Sequence, residues 1–205
     1  MGRPDSTPLP KQQGTTTRLA LVPAQRLSGW VDRFAASHGP LQEEMIDDGL
    51  VLQASDGAVA LLRAPWPVDG RPGRGASSIE RLASLATQER GLGILLVRRG
   101  GFAVAAASGQ RVLASKGGKR YADARTTARY AAEVFAGHLI EYIVPGGDRA
   151  LVDQVLAEPS LGAVAGRTRL ALLDIQDPKP AVLQKAAAEA CAIRITVTNP
   201  SPSSH

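Results

Sequence analysis

The sequence predicts an α/β protein built on a mixed sheet, and three observations predict it. Three apolar runs follow one another at 93–99, 102–107 and 110–114, separated by glycine turns. After them, segments of helical and strand periodicity alternate. Before them stands a smaller set of a strand, a helix and three short apolar runs. A meander followed by alternation implies strands of both directions in one sheet, with helices against its faces.

The elements follow in order. Residues 1–17 are polar and proline-bearing, without the apolar stretch of a secretory signal, and read as a disordered tail, as do 200–205. Residues 18–22 read as a strand. Residues 24–37 read as a helix, because Leu27, Trp30, Val31 and Phe34 recur at steps of three and four, and Gly39-Pro40 stops it. Runs at 41–46, 49–54 and 58–63 are separated by Asp48-Gly49 and Asp56-Gly57, which signal tight turns. Residues 18–64 are thus expected to form a strand-helix-meander subdomain. Residues 65–77, rich in Pro, Gly and Arg, read as a linker. Its glycines Gly70, Gly73 and Gly75 lack the Gly-Lys-Ser/Thr that a phosphate-binding loop needs. Residues 78–199 form the second expected domain. It opens with a helix at 78–90 and the meander, whose turns are Gly100-Gly101 and Ser108-Gly109. Then come a helix near 128–140, a strand near 141–144, a helix at 148–157, a strand at 170–175, a helix at 180–191 and a strand at 193–198.

Composition excludes several classes of function. The chain has 205 residues, 44% of them hydrophobic and 21% charged, which is enough for a packed core. No apolar stretch is long enough for a membrane helix. The single cysteine, Cys191, excludes an internal disulfide and reads as a buried thiol, in keeping with a cytoplasmic location. His38, His138 and His205 share no metal-binding spacing, and neither a metal nor a cofactor is expected. Asp174 and Asp177 read as turn and cap residues. As a carboxylate pair for metal-dependent nuclease chemistry they are weak candidates.

Net charge is +5, and the positive charge concentrates between Arg111 and Arg129. Lys116, Lys119, Arg120, Arg125 and Arg129 lie there with Tyr121 among them, and Asp123 is the sole acidic residue opposing them. Gly117-Gly118 suggest a flexible exit from a strand. Charge alone leaves two readings open: contacts with RNA phosphates, or a solvated hairpin end.

A resemblance narrows the choice. Leu96-Val97-Arg98-Arg99-Gly100-Gly101-Phe102-Ala103-Val104, then Ala114-Ser115-Lys116-Gly117-Gly118-Lys119-Arg120-Tyr121 and Arg125-Thr126, resemble the actinobacterial Vms-like release factors. These are relatives of the middle domain of eukaryotic and archaeal class I release factors. The likeness continues in Gly146-Gly147-Asp148-Arg149, in Val155-Leu156-Ala157 and in Leu173-Asp174-Ile175-Gln176-Asp177-Pro178. Toward the N-terminus it includes Leu27-Ser28-Gly29-Trp30-Val31-Asp32-Arg33-Phe34-Ala35. It implies an RNase-H-like mixed sheet carrying the strand-helix-meander extension. It also implies a cytoplasmic partner of the ribosome at the peptidyl-transferase centre, hydrolysing the ester of peptidyl-tRNA. The family reaction relies on a flexible loop of glycines followed by a glutamine, which positions water beside the ester carbonyl.

The chain departs from the family at that loop. Arg125-Thr126-Thr127-Ala128 runs directly into Arg129-Tyr130-Ala131-Ala132, and no glutamine stands between Gln110 and Gln154. No residue here is therefore assigned a catalytic role. Three explanations are open: a loop between Ala128 and Arg129 that this sequence omits, a deletion, or natural absence. The first predicts Cα atoms at that junction much farther apart than the roughly 3.8 Å of a trans peptide. The rival to hydrolysis is a non-catalytic ribosome- or RNA-binding factor on the same fold. In either case Lys116, Lys119, Arg120, Tyr121, Arg125 and Arg129 are the expected RNA contacts.

Overall fold

A computed structural model describes residues 16–67, 71–119 and 123–200. They form a mixed α/β arrangement of two five-stranded sheets and six α-helices.

The first sheet holds β1 (Thr16–Val22), β2 (Leu41–Ile46), β3 (Gly49–Ala54), β4 (Val59–Arg63) and β10 (Ile193–Asn199). Its order is β1-β10-β4-β3-β2, antiparallel throughout. Alternation aims Leu50 and Leu52, Ala60 and Leu62, and Ile193 and Ile195 at one face. There they meet Leu27 and Phe34 of α1 (Leu27–His38) and Leu82 and Ala86 of α2 (Ser78–Ala86). A division after residue 77 would group 193–199 with the second region. The strand instead lies between β1 and β4, so the first sheet draws on both ends of the described chain. Periodicity identifies a strand but does not name its neighbour.

The second sheet holds β5 (Gly91–Arg98), β6 (Gly101–Ser108), β7 (Arg111–Gly118), β8 (Tyr142–Gly147) and the two-residue β9 (Thr168–Arg169). The order is β7-β6-β5-β8-β9. The β5–β6–β7 meander is antiparallel, and β8 runs parallel to β5 and to β9. This is the mixed sheet that the alternation predicts. Its two faces are covered by different helices. Leu92, Ile94 and Leu96 pack with Leu183, Ala186 and Ala187 of α6 (Leu183–Ala190). Leu95, Val97 and Val104 pack with Ala128 and Ala131 of α3 (Ala124–Phe135) and Val152 and Val155 of α4 (Arg149–Leu156). Burial on both faces explains why β5 and β6 read as unbroken apolar runs rather than alternating ones. The short α5 (Gly162–Ala165) follows a 3-10 turn at Pro159–Leu161.

Several boundaries differ from expectation, each for a local reason. Helix α3 begins at Ala124, because the Asp123 carboxylate accepts the Thr126 N–H at 2.6 Å and caps it. Helix α2 ends at Ala86 rather than at 90, and the turn after it carries Arg90 into the core. The stretch 170–175 is not a regular strand. It touches the sheet through the Leu170 N–H to the Ile143 carbonyl (2.8 Å) and a bridge between Leu173 and Gly146.

The described part of the expected linker is fastened at several points. Trp66 is 3% exposed, stacks on Tyr142 and donates its indole N–H to the Leu85 carbonyl at 2.8 Å. Arg71 pairs with Glu141, and its carbonyl accepts from Gln88 at 3.0 Å. Ser77 and Glu80 close a capping box on α2. Gly70 of the expected linker and residues 1–15 and 201–205 of the expected tails fall outside the described residues, whereas Thr16 and Thr17, expected in the N-terminal tail, pair with β10 as part of β1. Among the described residues no helix is long and apolar enough to cross a membrane.

Candidate nucleic-acid interface

The basic stretch starts inside the sheet. β7 continues to Gly118, so Gly117 and Gly118 are paired strand residues opposite Ala103 and Phe102, not a flexible exit. The reason is steric. A Cβ on Gly118 would lie 2.8 Å from the Phe102 ring, and one on Gly117 would lie 2.9 Å from Pro180. These glycines let a ring and a proline close against the edge strand.

Lys116 is turned toward α3. Its ammonium pairs with Glu133 at 2.8 Å and lies 3.9 Å from the centre of the Tyr130 ring. The Lys116 hydrogen bond holds the Glu133 carboxyl below the usual carboxylate range. Tyr130 stacks on Phe102 at 5.6 Å, with the Arg129 guanidinium 5.2 Å from its ring. Tyr130 thus joins the start of β6, β7 and α3 in one cation–aromatic cluster.

Arg125 and Arg129 stand one turn apart on α3, and both are exposed. Among the described residues neither guanidinium has an ion pair or hydrogen bond, although Arg129 lies over the Tyr130 ring and its charge helps to hold the Glu133 carboxyl low. Together with Thr126 they border an open cleft of about 770 Å³ closed on the far side by Glu158, Pro159 and Ser160. Residues four apart on a helix lie side by side, so two guanidiniums are presented as a pair. Lys119 is exposed at the end of β7, and Arg120 and Tyr121 lie outside the described residues. Of the six expected contacts, the structure therefore gathers Arg125 and Arg129 at one cleft and commits Lys116 to Glu133 and the Tyr130 ring.

The expectation of a gap between Ala128 and Arg129 is overturned. They are consecutive residues of one unbroken helix, and Thr127 and Ala128 are fully buried within it. No loop opens there. The connection between strand and helix is 119–122, from the end of β7 to the cap at Asp123, and 120–122 lie outside the described residues.

The other candidates resolve into local partnerships. Asp174 accepts from the Gln176 amide at 2.6 Å, and Asp177 pairs with Lys179. His38 pairs with Asp56 at 2.8 Å, and the Ala58 N–H together with His38 holds the Asp56 carboxyl low. Cys191 is buried, and burial pushes its thiol up to about 12. Among the described residues no three of His, Cys, Asp and Glu converge as metal ligands would. An apolar cleft of about 580 Å³ lies away from the basic stretch, between the β2–β3 turn, Trp66 and residues 168–171.

Sequence reasoning missed Tyr130, Glu133 and Ser160. The spacing of Tyr130 and Glu133 behind Arg129 would have placed both near the same helix face, but pairing with Lys116 depends on how β7 packs on α3. No curated protein matches the chain. Residues 122–196, spanning α3, β8, α4, β9, α6 and the start of β10, match the family model described as Actinobacteria/chloroflexi VLRF1 release factor. The part of the chain that resembles this release-factor family therefore contains the scaffold of the basic cleft.

Proposed function

We propose that this protein is a ribosome-associated release or rescue factor that engages peptidyl-tRNA near the peptidyl-transferase centre and binds RNA through the start of α3. The second sheet, with its helices, serves as an RNase-H-like middle domain, and the protein works in the cytoplasm. The observation that carries the reading is the pair of exposed, unpaired guanidiniums of Arg125 and Arg129 on the edge of one cleft, within the family match. Paired arginines suit adjacent phosphates of one strand, and such contacts position a protein without reading sequence.

Binding without hydrolysis is the reading that the α3 geometry favours. The helix runs unbroken from Ala124, and no glutamine stands between Gln110 and Gln154. The group that orients water in the family reaction has no counterpart on this connection. In this reading the protein occupies the site of release and leaves the chemistry to the ribosome or to a second factor. Hydrolysis of peptidyl-tRNA is the second reading, favoured by the family match and by a β7–α3 frame of the kind that carries the reacting loop.

One experiment separates them. Purified protein is added to stalled ribosomes carrying labelled peptidyl-tRNA, and both co-sedimentation and freed peptide are measured. Co-sedimentation without peptide above the ribosome-only rate supports the binding factor. Peptide release that scales with protein establishes hydrolysis. Failure to co-sediment removes the ribosome from the account altogether.

A further inference from the structure

We propose that a second crevice, at the C-terminal ends of β5 and β8, holds a phosphate of an RNA strand between Arg98 and Arg99. The inference rests on the RNA-binding reading above and adds a contact separate from the α3 cleft. The crevice measures about 420 Å³ and lies between the β5–β6 turn, the start of α4 and residues 176–178. It is the end of the sheet where parallel strands finish, the usual place for ligands in α/β sheets.

The charges in this crevice are unequally committed. Asp148 caps α4, accepting the N–H groups of Ala150 at 2.9 Å and Leu151 at 3.2 Å. Asp177 pairs with Lys179. The Gln176 amide donates to Asp174, behind the crevice. The Arg98 and Arg99 side chains, by contrast, have no hydrogen bond or ion pair among the described residues, and the Arg98 Nε is buried without an acceptor. A buried N–H without a partner is costly and calls for an explanation. An oxyanion between the two guanidiniums supplies one, because the planar fork of arginine matches phosphate geometry.

The backbone is shaped to place Arg98. Gly147 has φ +88°, and a Cβ there would lie 2.4 Å from the Val97 carbonyl and 3.1 Å from Arg98 Cγ. Glycine at this position lets the arginine stem lie flat across the end of β8. No aromatic ring lines the crevice, so it offers nothing for a base to stack on and suits the sugar-phosphate backbone. The crevice also adjoins the end of β7. A Cβ on Gly101 would lie 2.8 Å from the Gly118 carbonyl and 3.5 Å from that of Pro178. One RNA strand crossing this end of the sheet meets the crevice and then Lys119.

The test uses the full chain and deacylated tRNA, with affinity followed by fluorescence anisotropy from 50 to 200 mM KCl. Arg99→Ala removes an exposed group, and Arg98→Lys keeps charge and stem while removing the fork. Melting curves confirm that both fold. Each variant is expected to weaken binding about 3- to 10-fold at low salt, and Arg99→Ala to reduce the slope of log affinity against log salt by about one. Wild-type affinity and slope in both variants would overturn the inference. If Arg125→Ala weakens binding while these two do not, the crevice falls and the α3 interface stands. If these two weaken it while Arg125→Ala does not, the crevice stands and the α3 interface falls. Saturable binding of inorganic phosphate that Arg99→Ala abolishes, with tRNA binding unchanged, would make this a free-phosphate site and overturn the RNA assignment.

Discussion

Strand β5 has an arginine at each end, and the two ends are opposites. Arg90, just before the strand, is 1% exposed and its guanidinium is paired inside the fold. It pairs with Glu141 at 3.3 Å, donates to the Gln88 side chain at 2.7 Å and lies over the Tyr142 ring. Glu141 in turn accepts the Gly91 N–H at 2.8 Å and pairs with Arg71. Arg98 and Arg99, at the far end, have no carboxylate among the described residues. The same residue type on one strand thus serves two purposes, and the commitment of its charge tells them apart. A guanidinium already neutralised inside the fold ties elements together. One held at the surface with nothing to neutralise it is available to an anionic partner.

The largest effect expected is on the closed end. Arg90→Ala empties a fully buried site and takes one of two guanidiniums from Glu141, and Glu141→Ala removes the carboxylate that pairs with the buried Arg90. Each should lower unfolding free energy by about 3–5 kcal/mol, as breaking a buried pair does. Arg99→Ala should change it by no more than about 0.5 kcal/mol, as for an ordinary surface site. Urea denaturation of the three variants measures both. Equal losses at the two ends would break the comparison.

Gly147→Ala comes next. It forces an L side chain into φ +88° and against the Val97 carbonyl, so a loss of about 1–3 kcal/mol is expected. Because the new methyl also presses on the Arg98 stem, tRNA binding should weaken in the fraction that folds. Unaltered stability would mean that the backbone there relaxes freely and does not set the position of Arg98.

A pH titration sharpens the contrast further. Burial pushes the Glu141 carboxyl up, but the Gly91 N–H and the Arg71 and Arg90 guanidiniums outweigh it and hold the group below its ordinary value of 4.5. A carboxyl depressed in the folded state binds its proton more weakly there than in the unfolded chain. Its contribution is therefore present above 4.5 and is lost as pH falls through the lower, folded value. Thermal melts between pH 3 and 6 should show the wild type losing more stability on acidification than Glu141→Gln. Parallel curves would show that Glu141 does not titrate differently on folding.

Legibility in the sequence tracks the range of the interactions. The meander at β5–β7 was plain, because two strands buried on both faces between glycine turns can hardly be anything else. The strand character of 193–199 was equally plain, but its place between β1 and β4 was not, since partner choice is set by distant chain. The same limit applies to the sites. The concentration of Lys and Arg between 111 and 129 is visible as composition. That Lys116 faces Glu133 while Arg125 and Arg129 face outward depends on the twist of β7 against α3. Arg90 reads as the last residue of a helix, because nothing local announces that Glu141, some fifty residues later, receives it. The β7–α3 junction misled in a different way. Resemblance to a family that carries a loop suggested a break after Ala128, whereas the local signal, an aspartate three residues before Thr126, already placed the helix start earlier.

The smallest effect expected concerns Lys116, and it divides the basic stretch more finely. Counted by charge, Lys116 belongs with Arg125 and Arg129. By geometry it belongs with Arg90, because its ammonium is already shared between Glu133 and the Tyr130 ring. Lys116→Ala should leave tRNA affinity and its salt slope unchanged, whereas Arg125→Ala lowers both. The trace of the substitution should appear instead at Glu133, whose carboxyl loses the hydrogen bond that holds it low and rises toward its ordinary value of 4.5. NMR titration of the Glu133 side chain reads that shift directly. A loss of tRNA binding in Lys116→Ala as large as that in Arg125→Ala would mean that the ammonium leaves Glu133 for a phosphate. In that case charge commitment in the free protein would be too easily reversed, at exposed pairs, to separate a structural cation from a ligand-binding one.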